Sequence, residues 1–106
     1  MNKTKKCSDA ILCTGFPVNT NFNEENIRKY VNDIINFKKV RLLGSAALSL
    51  AYLASGKVDA YYEKDIKIWD VAAGIAIVKG AGGIIKNTKY NNDFLLDVYA
   101  ECNKLT

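Results

Sequence analysis

The chain carries the run Trp69-Asp70-Val71-Ala72-Ala73-Gly74-Ile75-Ala76-Ile77-Val78, in which small and apolar residues occupy almost every position. A helix made of such residues has no polar face to turn to water, so the run predicts a largely buried helix. Its small residues allow close packing, and it is expected to end near Gly82 and Gly83. Trp69 is expected to lie in the core.

Two further helices are predicted upstream. Residues 46–54 are apolar on nearly every side and predict a second buried helix, with Ser45 at its start and Gly56 just past its end. Asn23 stands where an N-cap would lie, ahead of apolar residues at helical spacing. These apolar residues are Ile27, Tyr30, Val31, Ile34 and Ile35.

Short apolar or alternating segments predict strands between the helices. The second half is expected to contain a polar turn at Lys64 and Asp65 and a loop around Asn91 and Asn92. Strands that alternate with buried helices indicate a layered α/β fold, in which helices cover a sheet, and residues 1–106 form a single unit. The predicted strands are 10–14, which ends at a Gly15-Phe16-Pro17 turn, 40–43, 58–63, 84–86 and 95–100.

The composition excludes several classes of function. Apolar residues make up 49% of the chain and charged residues 25%, as in an ordinary globular protein. The net charge of +4 comes from scattered basic residues, and the cluster at residues 3–6 has no interleaved aromatic residue, so it predicts a solvated end and no nucleic-acid partner. No segment is long enough to span a membrane, and no signal peptide follows the lysines.

The reactive residue types narrow the chemistry. The three cysteines are not closely spaced in the sequence, so they favour neither a disulfide framework nor a zinc site. Such cysteines fit a reducing, cytoplasmic setting. The chain has no histidine. Hydrolysis by this protein would therefore depend on carboxylates and hard cations such as Mg²⁺.

Asp70 and Glu63 are the carboxylates of greatest interest. Asp70 is either the N-cap of the helix that follows it or a ligand of Mg²⁺ beside a helix N-terminus. Glu63 is either a solvent-facing residue beside a turn or an acceptor for a substrate hydroxyl at the edge of a cleft. The segment Gly44-Ser45-Ala46 is either a capped turn into a helix or a loop that a polyol or phosphate approaches closely.

The spacing of these segments resembles the second half of the inositol monophosphatase family. The resemblance covers residues 9–102, and its most specific part is the family's second signature, tryptophan-aspartate-x-alanine-alanine-glycine, at residues 69–74. The supporting matches are Arg41-Leu42-Leu43-Gly44-Ser45-Ala46-Ala47, Val58-Asp59-Ala60-Tyr61-Tyr62-Glu63, Ala81-Gly82-Gly83 and the upstream Thr14-Gly15-Phe16-Pro17.

The resemblance implies a fold and an activity. The fold would be the C-terminal half of an inositol monophosphatase or fructose-bisphosphatase type sandwich, with a mixed sheet. The complete protein would be a phosphoric monoester hydrolase and a homodimer, using Mg²⁺ to cleave a small phosphorylated polyol, most simply an inositol monophosphate. Asp70 would bind the second Mg²⁺ and a substrate hydroxyl, Glu63 would accept from another hydroxyl, and Gly44, Ser45 and Ala46 would line the sugar pocket.

The sequence departs from the family pattern in ways that affect function. The family's first signature, aspartate-proline-hydrophobe-aspartate-glycine-threonine, is absent, and so is an upstream glutamate that binds metal. One of the family's metal-binding carboxylates remains, so the isolated chain is expected to be inactive. The family's final helix is also absent. Gly80 stands where members usually have glutamate. Phosphatases of fructose 1,6-bisphosphate or of nucleotide 3′,5′-bisphosphates are alternatives, as is a non-catalytic interaction fragment.

Overall fold

The computed structural model describes residues 1–16, 23–92 and 94–106, with the side chains of residues 87–92 left out. Pro17 of the predicted turn therefore lies outside the described residues. A short 3-10 turn at Cys7–Asp9 precedes the sheet. The elements that follow are β1 (Ile11–Thr14), α1 (Glu24–Ile34), β2 (Lys39–Leu42), α2 (Ala46–Ser55), β3 (Ala60–Lys67), α3 (Ile68–Gly80), β4 (Ile84–Asn92) and β5 (Leu95–Glu101).

The strands form one mixed, five-stranded sheet in the order β2-β1-β3-β5-β4. β1 pairs in parallel with both β2 and β3, whereas β5 pairs antiparallel with both β3 and β4. Parallel neighbours need a crossover connection, and α1 and α2 supply the crossovers between these three strands. The predicted layered α/β fold with a mixed sheet is confirmed.

Local sequence signals set the starts of two helices and the end of one. The Asn23 side chain accepts a hydrogen bond from the Asn26 N–H at 2.8 Å, and the Ser45 side chain accepts one from the Leu48 N–H at 3.1 Å, so both are N-caps. Gly56 ends α2 with φ of 85°, a left-handed conformation that glycine adopts without steric cost.

The core has a part on each face of the sheet. The larger part lies between the sheet and the α2–α3 layer and includes Cys13, Leu50, Tyr61, Val71 and Val98. The smaller part lies on the opposite face. It is formed by Ala10, Leu12, Ala60 and Leu105, against which Ile34 of α1 packs.

The two apolar helices pack tightly on each other but are buried on one side only. A Cβ added at Gly74 of α3 would lie 2.6 Å from Leu50 Cδ1 of α2, so the missing side chain permits the close approach. Leu48 and Ile77 on the outer side are exposed. The prediction that both helices are buried is therefore wrong for their outer sides, because among the described residues the sheet covers them from one side and no second layer covers the other.

Several predicted boundaries in the second half are also wrong. Lys64 and Asp65 form no turn, because β3 continues to Lys67 through an irregularity in its pairing with β5, at which Asp65 has φ of 51°. Asn91 and Asn92 belong to β4, which is longer than predicted. Trp69 is not in the core: it is 60% exposed and contacts the Phe94 ring, with centroids 5.7 Å apart.

The N-terminal residues are docked rather than free. Asp59 is buried and accepts hydrogen bonds at 2.8 Å from Asn2 Nδ2, Thr4 Oγ1 and the Ile11 N–H. The backbone of Thr106 pairs with Cys7 and Lys5, so the two ends of the chain lie side by side. The lysines of residues 3–6 are exposed, as expected of a solvated cluster.

Candidate functional site

The site residues of β3 lie on the sheet face that α2 and α3 cover. Tyr61 and Glu63 are two positions apart, so their side chains point to the same face of the sheet. Tyr61 is fully buried in the larger core, and its hydroxyl donates a hydrogen bond to Glu63 Oε1 at 3.0 Å. Glu63 is half-buried, so the alternative of a simple solvent-facing residue does not describe it.

Burial determines the electrostatics of Glu63. Loss of water around the carboxylate raises the pKa of Glu63, and the nearby charge of Asp70 raises it further, while the hydrogen bond from Tyr61 opposes both effects. Burial and the neighbouring Glu63 raise the pKa of Tyr61, so its phenol remains a donor at neutral pH. The negative charge of Asp70 also contributes to the raised pKa of Tyr61.

Asp70 lies in the first turn of α3 and is exposed. The N-cap position belongs to Lys67, whose side chain makes no cap hydrogen bond, so the alternative in which Asp70 is the N-cap is wrong. The helix begins earlier than this alternative requires, because β3 ends at Lys67 and α3 begins at Ile68. The oxygens of Asp70 are therefore not committed to the cap, and a carboxylate in the first turn also lies near the positive end of the helix dipole.

Gly15, directly after β1, brings the backbone against the Glu63 carboxylate. A Cβ added at Gly15 would lie 2.8 Å from Glu63 Oε1 and 3.4 Å from Oε2, so a larger residue would displace the carboxylate. Thr14 donates from Oγ1 to the Tyr62 carbonyl and accepts from the Tyr30 hydroxyl at 3.2 Å. The end of β1 is thereby fixed against β3.

The segment Gly44-Ser45-Ala46 forms the entrance to α2. Gly44 is exposed with φ of 72°, a conformation that side chains rarely adopt, and open space surrounds the position of its missing Cβ. The Ser45 hydroxyl caps the helix, so the capping alternative is correct, and Ala46 is buried in the core. Gly44 and Ser45 are both exposed, so the backbone of this segment is open to a ligand there, whereas Ala46 is not.

Ser49 joins this entrance to the strands. Its hydroxyl donates to the Ser45 carbonyl at 2.8 Å, and it also hydrogen-bonds the buried Cys13 thiol. Burial raises the pKa of Cys13, while Ser49 and the positive charge of Arg41 oppose that effect, so the thiol is protonated and unreactive at neutral pH. No described contact joins Gly44 directly to Asp70 or Glu63 within residues 1–16, 23–92 and 94–106.

The carboxylates that the structure describes do not complete a magnesium site by themselves. In the described part of the chain, no three acidic or cysteine side chains come together as a possible metal site. Mg²⁺ requires near-octahedral oxygen ligands, and Asp70 with the partly committed Glu63 offers fewer than a stable site needs. No chemical step through the metal follows from these residues alone.

Sequence reasoning identified Glu63 and Asp70 but gave no role to Tyr61 or Gly15. The alternation of residues 60–63 contained the signal for Tyr61, because it places residues 61 and 63 on one face. Nothing in the local sequence indicated that Gly15 lies against residue 63, since that approach depends on the pairing of β1 with β3. Among the described residues, no helix is both long and apolar enough to cross a membrane.

The sequence profile of the inositol monophosphatase family matches residues 1–105. The chain belongs to this family. Among the family's solved structures, an inositol monophosphatase from Anabaena (Nostoc) sp. PCC 7120 is 31% identical and superposes with a TM-score of 0.80, over 97% of this chain and 42% of that one. The resemblance of the signature segments to the inositol monophosphatase family is confirmed.

Curated relatives in the inositol monophosphatase family have two kinds of name. Nus factor SuhB of Xylella fastidiosa is 41% identical over 86 residues, which are 80% of this chain and 31% of that protein. Inositol-1-monophosphatase of Rhizobium meliloti is 37% identical over 83 residues, which are 74% of this chain and 30% of that protein. The chain thus spans about a third of the length of the curated relatives it matches.

Proposed function

We propose that this chain forms one wall of the active site of a Mg²⁺-dependent phosphatase, and that the substrate is a small phosphorylated polyol of the inositol monophosphate type. Membership of the inositol monophosphatase family and the name of the Rhizobium meliloti relative support the reaction class. The observation that carries the proposal is the placement of the two carboxylates: Glu63 on the sheet face that α3 covers, and Asp70, exposed and outside the cap position, in the first turn of α3.

The two carboxylates have different roles in this proposal. Asp70 is exposed, is not committed to a cap and lies at a helix start, so it binds Mg²⁺ and accepts from a substrate hydroxyl. Glu63 accepts from a second hydroxyl with Oε2. With the other metal ligands in place, Asp70 would help to hold Mg²⁺, which would supply Lewis-acid activation of the phosphate and of water. The remaining metal ligands come from polypeptide outside this sequence, so the isolated chain is inactive.

The charge around Glu63 favours a polyol with neutral hydroxyls over a bisphosphate. A second phosphate group would need positive charge at that position, whereas the charge that acts on both Glu63 and its partner Tyr61 is the negative charge of Asp70. Lys64, the next residue along β3, lies 3.9 Å from Asp33, with its side chain on the opposite face. Fructose 1,6-bisphosphate and nucleotide 3′,5′-bisphosphates are therefore the poorer substrates.

A chimera tests the proposal, with this chain replacing the matching segment of the Rhizobium meliloti relative. We expect it to hydrolyse inositol monophosphate with Mg²⁺ and to prefer it over both bisphosphates. Asp70→Asn should lower kcat/KM by about 100-fold or more, because the loss of a residue that only supports a metal ligand already costs about 10- to 100-fold. The matched control is Asp9→Asn, an exposed aspartate at the start of the chain, which should leave the rate unchanged.

Two results would refute the assignment. Preference for a bisphosphate would show that Glu63 does not select neutral hydroxyls. A near-normal rate for Asp70→Asn would show that Asp70 binds no catalytic metal. The complete protein is also expected to be a homodimer. Light scattering on the same chimera measures its molar mass in solution and tests this.

The exposed apolar side of the α2–α3 layer favours a second candidate function, a non-catalytic interaction module. Leu48, Trp69 and Ile77 are exposed there, and exposed apolar patches mark protein contacts. Several relatives are named Nus factor. Under this candidate, the chimera would fold and bind a partner protein but show no Mg²⁺-dependent hydrolysis above background.

A further inference from the structure

The Glu63 carboxylate has neighbours at one of its two oxygens, Oε1, and within the described residues no hydrogen bond reaches the other. The Tyr61 hydroxyl occupies Oε1 at 3.0 Å, and Gly15 brings the backbone against the carboxylate, nearer to Oε1 than to Oε2. We infer that Tyr61 is a positioning residue that fixes the Glu63 carboxylate so that Oε2 accepts a hydrogen bond from a neutral ligand hydroxyl. The ligand part of this inference rests on the proposed function; the positioning part does not.

The position of Tyr61 suits this role. Its ring is fully buried among Cys13, Leu50 and Val71, so packing holds the phenol in place. Its hydroxyl is the only part that must find a polar partner, and Glu63 is that partner. A donor anchored in the core therefore fixes a half-buried carboxylate two residues further along the same strand. A pre-organised acceptor of this kind loses less entropy when a ligand binds.

Gly15 acts from another side of the same carboxylate. With a Cβ only 2.8 Å from Oε1, an alanine here would force the carboxylate to move or to lose the bond from Tyr61. Two variants should therefore release the Glu63 carboxylate from its position, namely Tyr61→Phe and Gly15→Ala. A change at Tyr62, whose hydroxyl donates to Asp33 on the other face, leaves Glu63 unaffected.

The first measurement determines the positioning directly in this chain. Three-bond NMR couplings report how many rotamers the Glu63 side chain populates. We expect one dominant rotamer in the unmodified chain and in Tyr62→Phe, and several rotamers in Tyr61→Phe and Gly15→Ala. Circular dichroism melting establishes that each variant is folded. A single rotamer that persists in folded Tyr61→Phe and in folded Gly15→Ala overturns the inference.

The second measurement tests the ligand class, with myo-inositol as the probe. Adding it should shift the Glu63 side-chain carboxyl resonance saturably, and Tyr61→Phe should weaken the apparent affinity by about tenfold, the value of one good hydrogen bond. Inorganic phosphate should not shift this resonance. If inositol also leaves it unshifted while the rotamer result holds, the assignment of Oε2 to a ligand hydroxyl fails and the positioning by Tyr61 stands; the polyol proposal itself is tested by the chimera.

Discussion

Replacing Asp59 by alanine should cost this protein a large share of its stability. The buried carboxylate accepts three hydrogen bonds at 2.8 Å, from Asn2, Thr4 and the backbone of Ile11. Without it, the Ile11 N–H at the start of β1 has no acceptor, which costs about 1 to 3 kcal/mol. Loss of the two N-terminal contacts to a charged group brings the total to about 3 to 5 kcal/mol.

Urea unfolding measured by far-UV circular dichroism tests this value. The unfolding midpoint of Asp59→Ala should fall by at least about 1 M with an unchanged slope. Asp59→Asn keeps one oxygen that can accept from the Ile11 N–H, so it should lose only about 1 to 2 kcal/mol. Asp9→Ala, an exposed control, should stay within about 0.5 kcal/mol of the unmodified chain.

The reasoning would be refuted by an Asp59→Ala variant within about 1 kcal/mol of the unmodified chain. That result would mean that water replaces the carboxylate at Ile11 and that the N-terminal residues contribute nothing. Deuterium exchange adds an independent check, because the Ile11 amide should exchange faster in Asp59→Ala and should stay protected in Asp9→Ala.

Three further outcomes follow from the packing and the charges. Gly74→Ala should destabilise the fold by about 1 to 3 kcal/mol, since the added Cβ would lie 2.6 Å from Leu50. At Gly80 an added Cβ meets nothing within 4 Å, so Gly80→Ala should stabilise α3 by up to about 1 kcal/mol. Chemical denaturation of the two variants measures both effects. The pKa of Glu63 is raised from its ordinary value of 4.5, so the folded state binds more protons than the unfolded state, and the unfolding free energy should fall as pH rises above 4.5. Glu63→Gln should remove that part of the pH dependence. An unchanged pH profile in this variant would contradict the burial argument. Tyr61→Phe should raise the pKa of Glu63 further, because it removes the hydrogen bond that opposes the rise. NMR of the carboxyl group measures this pKa, and a lower value in the variant would contradict the argument.

The sequence predicted the elements whose signals are local. Caps are read from one residue and its neighbours three positions away, which is why Asn23, Ser45 and Gly56 were identified correctly. The end of β3 was misread because Lys64 and Asp65 are polar, as turn residues are. Pairing with β5 carries the strand past them, and no local pattern reports that pairing.

Burial was harder to predict than secondary structure. An apolar helix is expected to be covered on all sides, but the composition of α2 and α3 does not say which layers are present, and Trp69 proved exposed for the same reason. For the candidate site, Glu63 and Asp70 came from the signature segments. The contacts of Glu63 with Tyr61 and Gly15 join β1 to β3, and they became visible only with the strand register.

Titration calorimetry with Mg²⁺ tests most directly whether Asp70 belongs to a shared metal site whose other ligands lie outside this sequence. The isolated chain should show no binding tighter than about millimolar, since its described residues bring no three candidate ligands together. The chimera with the Rhizobium meliloti relative should bind Mg²⁺ more tightly, and Asp70→Asn should abolish the difference. A micromolar site in the isolated chain, or a chimera whose affinity is unchanged by Asp70→Asn, would contradict the account.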